Sequence, residues 1–199
     1  MFVNARFAES VKMSEDRRVN RSSLAFAALV AASTVAISAD AALTRTGTPQ
    51  VAFHASGPAG MRIDGTTHDL NLSESGSNIV MAVPLANLTT GISLRDHHMR
   101  DKYLQIGSYP NAVLTVDRGA LHLPAGDGSA SGTAQGTMTI HGRTKNVSVR
   151  YAVIRGGGAL RVSGSTNLDI RDFGIDVPTY LGITVKPDIT VEAQFTATE

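Results

Sequence analysis

Over most of the chain, apolar and polar residues alternate with a period of two. The longest run sets Ala130, Gly132, Ala134, Gly136, Met138 and Ile140 against Ser131, Thr133, Gln135, Thr137, Thr139 and His141. Strict alternation of this length predicts a strand with one face in a core and the other in water. The same alternation continues through Val147, Val149, Tyr151 and Val153 after a tight turn at Gly142-Arg143. It reappears at Leu160, Val162, Gly164, Thr166, Leu168 and Ile170, and finally at Ile189, Val191, Ala193, Phe195 and Ala197. Earlier in the chain, Val51, Phe53 and Ala55 share a face of a first strand. A second runs from Met61 to Leu72 and changes parity across Gly65, which predicts a bulge or a break. A third covers Ile79 to Leu85. The fourth carries Ala112, Leu114 and Val116, then Leu121 and Leu123 beyond an irregularity at Arg118-Gly119. Eight strands with mostly short turns predict an all-β, up-and-down antiparallel barrel whose last strand closes onto its first, leaving no edge. A sandwich is the alternative. Strands of about 12 residues would make the barrel about 40 Å tall if untwisted.

One stretch escapes this pattern. Leu88 to Pro110, LTTGISLRDHHMRDKYLQIGSYP, lies between the third and fourth strands. Long insertions of this kind are usually lids or binding loops. Leu94, His98, Met99, Tyr103 and Ile106 give a narrow apolar stripe at helical spacing, so a short helix starting at Ser93 is expected. Asp96 and Arg100 stand four apart, which predicts an exposed pair worth roughly 0.3 kcal/mol. The helix has to end before Pro110, with Gly107 as the stop.

The first 41 residues have a different character. Arg17, Arg18 and Arg21 precede an apolar run from Leu24 to Ile37, and Ala39-Asp40-Ala41 offers a small-x-small cleavage site. This reads as a cleaved signal peptide, with Met1 or Met13 as the start, and the run is short for a membrane span. Residues 42–199 then form one domain, periplasmic or secreted, without a stable membrane anchor. The whole chain has 18 Lys+Arg and 17 Asp+Glu, and the leader holds five of the first and four of the second. The remainder is neutral and has no basic run, which argues against a nucleic-acid partner. With no cysteine, stability has to come from the core.

Small inward residues shape the expected interior. Ala130, Gly132, Ala134, Gly136, Gly164 and Ala193 are too small to fill a barrel to native density and predict an apolar space suited to a hydrophobic ligand. The competing reading is that Tyr151 and Phe195 fill the gap. His54, His68, His122 and His141 are scattered, and His97-His98 are adjacent and cannot share a helical face, so no metal site is expected. No GxSxG or phosphate loop is present, and no enzymatic activity or cofactor is expected.

Three separated runs, TTGISLRDHHMRDKYLQIGSYP, GTMTIHGRTK and IRDFGI, resemble those of the YceI-like family of bacterial periplasmic lipid-binding proteins. The resemblance extends from about Thr48 to the end. It implies a lipocalin-like barrel with a helical cap between strands three and four. Its interior would hold a polyisoprenoid, an isoprenoid-quinone-like lipid or a similar amphiphile. The lipocalin tryptophan motif is absent, since the chain has no Trp. The residues expected at the ligand are, in the cap, Leu94, Arg95, Met99, Tyr103, Leu104 and Ile106, with Arg95 as a headgroup contact or a scaffold and Asp96 as scaffold. On the strands they are Phe53, Leu114, Ala134, Gly136, Met138, Tyr151 and Phe195, with Phe173 as packing at a second fixed corner, Arg171-Asp172-Phe173. Tyr180 and Leu181 would sit at the mouth. The chain departs from the family at Lys102 to Gln105, where an acidic, aromatic stretch is common, so ligand preference stays open. So does a homodimer. The readings from other classes are a hydrolase of a lipid ester or diphosphate and a stress-protective secreted protein with a filled barrel.

Overall fold

The alternating stretch around Ala134 becomes the longest hairpin among the described residues. Every residue from Gly128 to Ile140 pairs with one from Arg143 to Arg155, in unbroken register about the Gly142 turn. The protein is described by a computed structural model covering residues 42–180 and 182–199. Its strands are β1 (Thr44–Ser56), β2 (Arg62–Thr67), β3 (Asn71–Ser75), β4 (Asn78–Pro84), β5 (Asn111–Asp117), β6 (Gly128–Ile140), β7 (Arg143–Gly156), β8 (Ala159–Asp169), β9 (Thr179–Tyr180), β10 (Ile183–Thr184) and β11 (Asp188–Thr198). β9 and β10 form a small separate hairpin. The other nine make one curled antiparallel sheet in the order β2-β1-β11-β8-β7-β6-β5-β4-β3. The expected leader lies outside the described residues. Among the described residues, no helix is long and apolar enough to cross a membrane.

Among the described residues, the all-β antiparallel architecture with one short α-helix matches expectation, but the main sheet has nine strands where eight were expected. The difference sits in the predicted second strand. His68, Asp69 and Leu70 interrupt it, because Thr67 and Leu70 are both buried and the chain crosses there from one edge of the sheet to the other. The last strand does pair with the first, Val51 opposite Ala193 and Phe53 opposite Val191. The sheet nevertheless continues past β1 to β2, so an unpaired seam remains between β2 and β3. The cap segment covers part of this edge. Thr66 N–H donates to Thr89 O at 2.8 Å and Thr89 N–H to Thr66 O at 3.0 Å, while Asn87 Nδ2 donates to Asp69 at 2.7 Å. A covered edge no longer offers its backbone groups to another chain.

The registers define two ends. Gly142, the β4–β5 connection and the Asp169–Asp188 pair lie at one, together with the cap. The β3–β4 turn, Asp117, Gly157-Gly158 and the Thr44–Thr198 pair lie at the other. A cluster of Met138, Val147, Val149, Leu168, Phe173 and Ile175 fills the cap end, with Tyr103, Leu104, Ile140 and Ile170 packed on it. Phe173, 2% exposed, is seated by a short 3₁₀ turn, Ile170–Phe173. Asp169 caps that turn by accepting from Arg171 N–H at 2.9 Å. Gly174 ends it in the left-handed region, φ 68°. The corner is therefore built on Asp169 and Arg171, whose guanidinium also donates to Asp169 rather than to Asp172. Those side-chain bonds, then the Arg171 amide, hold the Asp169 carboxyl below its ordinary value. At the other end, β5 stops at Asp117, so Leu121 and Leu123 follow a turn (Arg118–Ala120) instead of extending the strand.

Candidate binding cavity

The inward faces enclose a cavity of about 110 Å³. Its wall is apolar except for Ser165 and Thr166, with Leu72, Met81, Leu114, Val149, Val162 and Val191 among the larger residues around its circumference. Two of the polar groups at the wall are hydrogen-bonded. Thr166 Oγ1 donates to Ser148 O at 3.1 Å, and Tyr151 Oη accepts from His122 N–H at 2.8 Å. The space opens where Gly164 and Ala193 fall side by side. Gly132, Tyr151, Gly164 and Ala193 are consecutive register partners across β6, β7, β8 and β11. The Tyr151 ring lies over Gly132, where an added Cβ would come within 3.0 Å of its hydroxyl. That leaves the other side free. A Cβ on Gly164 would meet nothing nearer than 3.7 Å.

Of the residues expected at a ligand, Leu114, Ala134, Met138, Tyr151 and Phe195 line this cavity. Tyr103 and Leu104 pack with Phe173 in the plug at the cap end. Gly136 is no part of the space, because a Cβ there would stand 2.7 Å from Thr115 O on β5. Phe53 covers Gly65, its partner on β2. Met99 and Ile106 are half-buried in the cap and do not line the cavity, and Leu94 points to solvent at 59% exposure. Leu181 and the side chain of Tyr180 lie outside the described residues. The wall residues missing from that set, such as Leu43, Ile79, Val153, Leu160, Val162 and Ala197, mostly share the inward parity of their strands. Alternation was the signal that could have found them.

The cap is a clasp. Helix α1 (Ser93–His97) widens into a π turn at His98–Tyr103, with Leu104 N–H reaching back to Met99 O at 2.8 Å. It stops at Gln105, whose φ is 48°, two residues before the expected Gly107. Asp96 is 5% exposed and makes no exposed pair with the Arg100 side chain. It accepts instead from Thr89 Oγ1 at 2.5 Å, Thr90 N–H at 2.7 Å and Thr90 Oγ1. Burial alone would raise its carboxyl pKa; the hydrogen bonds from Thr89 and Thr90 and the Arg100 charge outweigh it and hold the value below the ordinary one. Arg100 donates to the carbonyls of Ala86 and Asp96. Arg95 grips Thr90, Nε to Oγ1 at 2.7 Å and Nη2 to the carbonyl at 2.9 Å. Both arginines of the motif thus hold the loop that covers the seam. Two of the histidines stand in surface pairs, His54 with Asp64 at 2.6 Å and His97 with Asp101 at 2.8 Å.

The model of the YceI-like domain matches residues 31–197. A UPF0312 protein of Pseudomonas syringae pv. tomato (strain ATCC BAA-871 / DC3000) is 28% identical over 138 residues, which are 65% of this chain and 68% of its own length. Among solved structures, a polyisoprenoid binding domain from Saccharophagus degradans, implicated in plant cell wall breakdown, superposes with a TM-score of 0.64 at 17% identity. It covers 79% of this chain and 97% of that one. BcnA of Burkholderia cenocepacia superposes at 0.59 with 16% identity, covering 75% and 96%. At such identities the structures share the fold.

Proposed function

Because the chain belongs to the YceI-like domain family, we propose that it is a non-enzymatic binding protein that shelters the hydrocarbon tail of a polyisoprenoid, an isoprenoid quinone or a similar amphiphile inside the sheet. It does so in the periplasm or after secretion, once residues 1–41 have been removed as a signal peptide. The observation that carries this reading is a wall that is almost wholly apolar around a space no side chain fills. The polyisoprenoid binding named for the Saccharophagus domain points the same way. A void of about 110 Å³ is of the order of the roughly 150 Å³ apolar cavity that stays dry and takes up benzene. It accepts a short length of chain as it stands. A longer tail requires Met81 and Met138 to turn aside, which unbranched thioethers do readily. The β2–β3 seam gives the sheet room to widen. Each methylene moved from water gains about 0.8 kcal/mol, but a membrane offers nearly the same. Net affinity is therefore modest, as suits a carrier that must release its cargo. Native mass spectrometry of the protein isolated from a bacterial envelope is expected to show one hydrocarbon-rich adduct per chain. Repeated recovery of bare protein that also fails to take up added decanol would overturn the reading.

A further inference from the structure

Four of the charges at the end opposite the cap are not scattered over the surface. Each continues an inward-facing file of apolar residues: Leu70 and Leu72 lead to Glu74, Leu114 and Val116 to Arg118, Tyr151 and Val153 to Arg155, and Phe195 and Ala197 to Glu199. The four close into a chain. Arg118 Nη1 meets Glu74 Oε1, Arg118 Nη2 meets Glu199 Oε1 at 3.0 Å, and Arg155 Nη2 meets Glu199 Oε2 at 2.8 Å. Their side chains are between 14 and 27% exposed, largely withdrawn from water. Two further bonds join this collar to the cavity wall. Leu43 N–H donates to Glu74 Oε1 at 3.1 Å, and Arg155 Nε donates to the carbonyl of Pro124, next to Leu123; Leu43, Leu121 and Leu123 all line the space.

Apolar residues at these four positions would cap the shaft without the cost of desolvating charge. We infer that the collar is the seat of an anionic headgroup, a phosphate or carboxylate carried on an apolar tail, and that Glu199 is the group it displaces. This rests on the reading of the shaft as a tail site. Two guanidinium groups converging on one carboxylate present the forked donors that bind such oxyanions bidentately. Glu199 is the member free to yield. It follows Thr198, the last residue paired to β1 and β8, whereas Glu74 lies within β3 and also holds the Leu43 amide. The tail then points toward the cap and the head lies at the far end, so Arg95, spent on Thr90, and Arg100, spent on the carbonyls of Ala86 and Asp96, take no part.

Calorimetric titration of the protein with decyl phosphate, decanol and inorganic phosphate tests this. Decyl phosphate is expected to bind more tightly than decanol, with an advantage that shrinks as salt screens the charges. Glu199→Gln should widen that advantage roughly fivefold, the scale of a partly exposed ion pair, and Arg155→Gln should narrow it, while decanol binds both variants as it binds the wild type. Equal affinity for phosphate and alcohol in all three proteins would overturn the headgroup seat and leave the tail site standing. No binding of either decyl compound would overturn both. Inorganic phosphate binding as tightly as decyl phosphate would show a free-phosphate site and overturn the amphiphile.

Discussion

Gly136 and Gly164 look alike in the sequence, each a glycine at an inward position of an alternating strand. Their surroundings differ. A methyl on Gly136 would be driven into a backbone carbonyl 2.7 Å away, with no flexible atom to give, whereas one on Gly164 finds ordinary contacts beginning at 3.7 Å. Gly136→Ala should therefore cost about 1–3 kcal/mol in urea unfolding. Gly164→Val should leave stability unchanged or raise it slightly, because a β-branched residue suits a strand, and it should weaken uptake of decanol by filling the space. Loss of stability in the second variant with decanol uptake intact would place the void elsewhere. At this scale the alternation gave the inward faces correctly, but not which small residues border space. That depends on the neighbour in register: Tyr151 leans over Gly132 and away from Gly164, a choice made across strands and not along them.

Among the elements, the cap departs most from its sequence pattern. Helical spacing suggested an apolar stripe closing a barrel and an exposed Asp96–Arg100 pair. The segment instead folds around a buried carboxylate, because two threonines immediately upstream can saturate it with donors and Arg95 can brace them. Burial of Leu94 would require the helix to rotate away from that clasp. Asp96→Ala leaves the Thr89 and Thr90 donors without their acceptor and should cost about 2–3 kcal/mol. Since the folded carboxyl titrates below its ordinary value, its contribution is complete above about pH 4 and fades as pH falls through the folded value. Urea unfolding from pH 6 to pH 2 is expected to show this acid loss in the wild type and a flatter limb in Asp96→Asn. An equally steep limb in the variant would assign the loss to other carboxylates. The TTG and RD signatures were legible as a fixed point, but their geometry was not, since it depends on the Thr66–Thr89 bridge to a strand more than twenty residues away.

For the whole molecule, the balance is between a packed end and a space held open. Phe173, Leu168 and Tyr103 fill the cap end, charges rim the other, and between them the sheet curls without closing, its seam bridged in part at Asn87 and Thr89. Strand count and closure were the features least legible beforehand. A parity change near Gly65 announced an interruption, yet only the burial of both Thr67 and Leu70 explains why the chain leaves one edge and restarts at the other. The charged collar was present in the strand parity all along, as four inward files that end in Glu or Arg. Anomalous diffraction from crystals soaked with 12-bromododecanol tests the central claim most directly. A bromine peak within the shaft, among Ala134, Gly164 and Ala193, is the expected result; a peak only on the outer surface, with the interior unchanged, would contradict it.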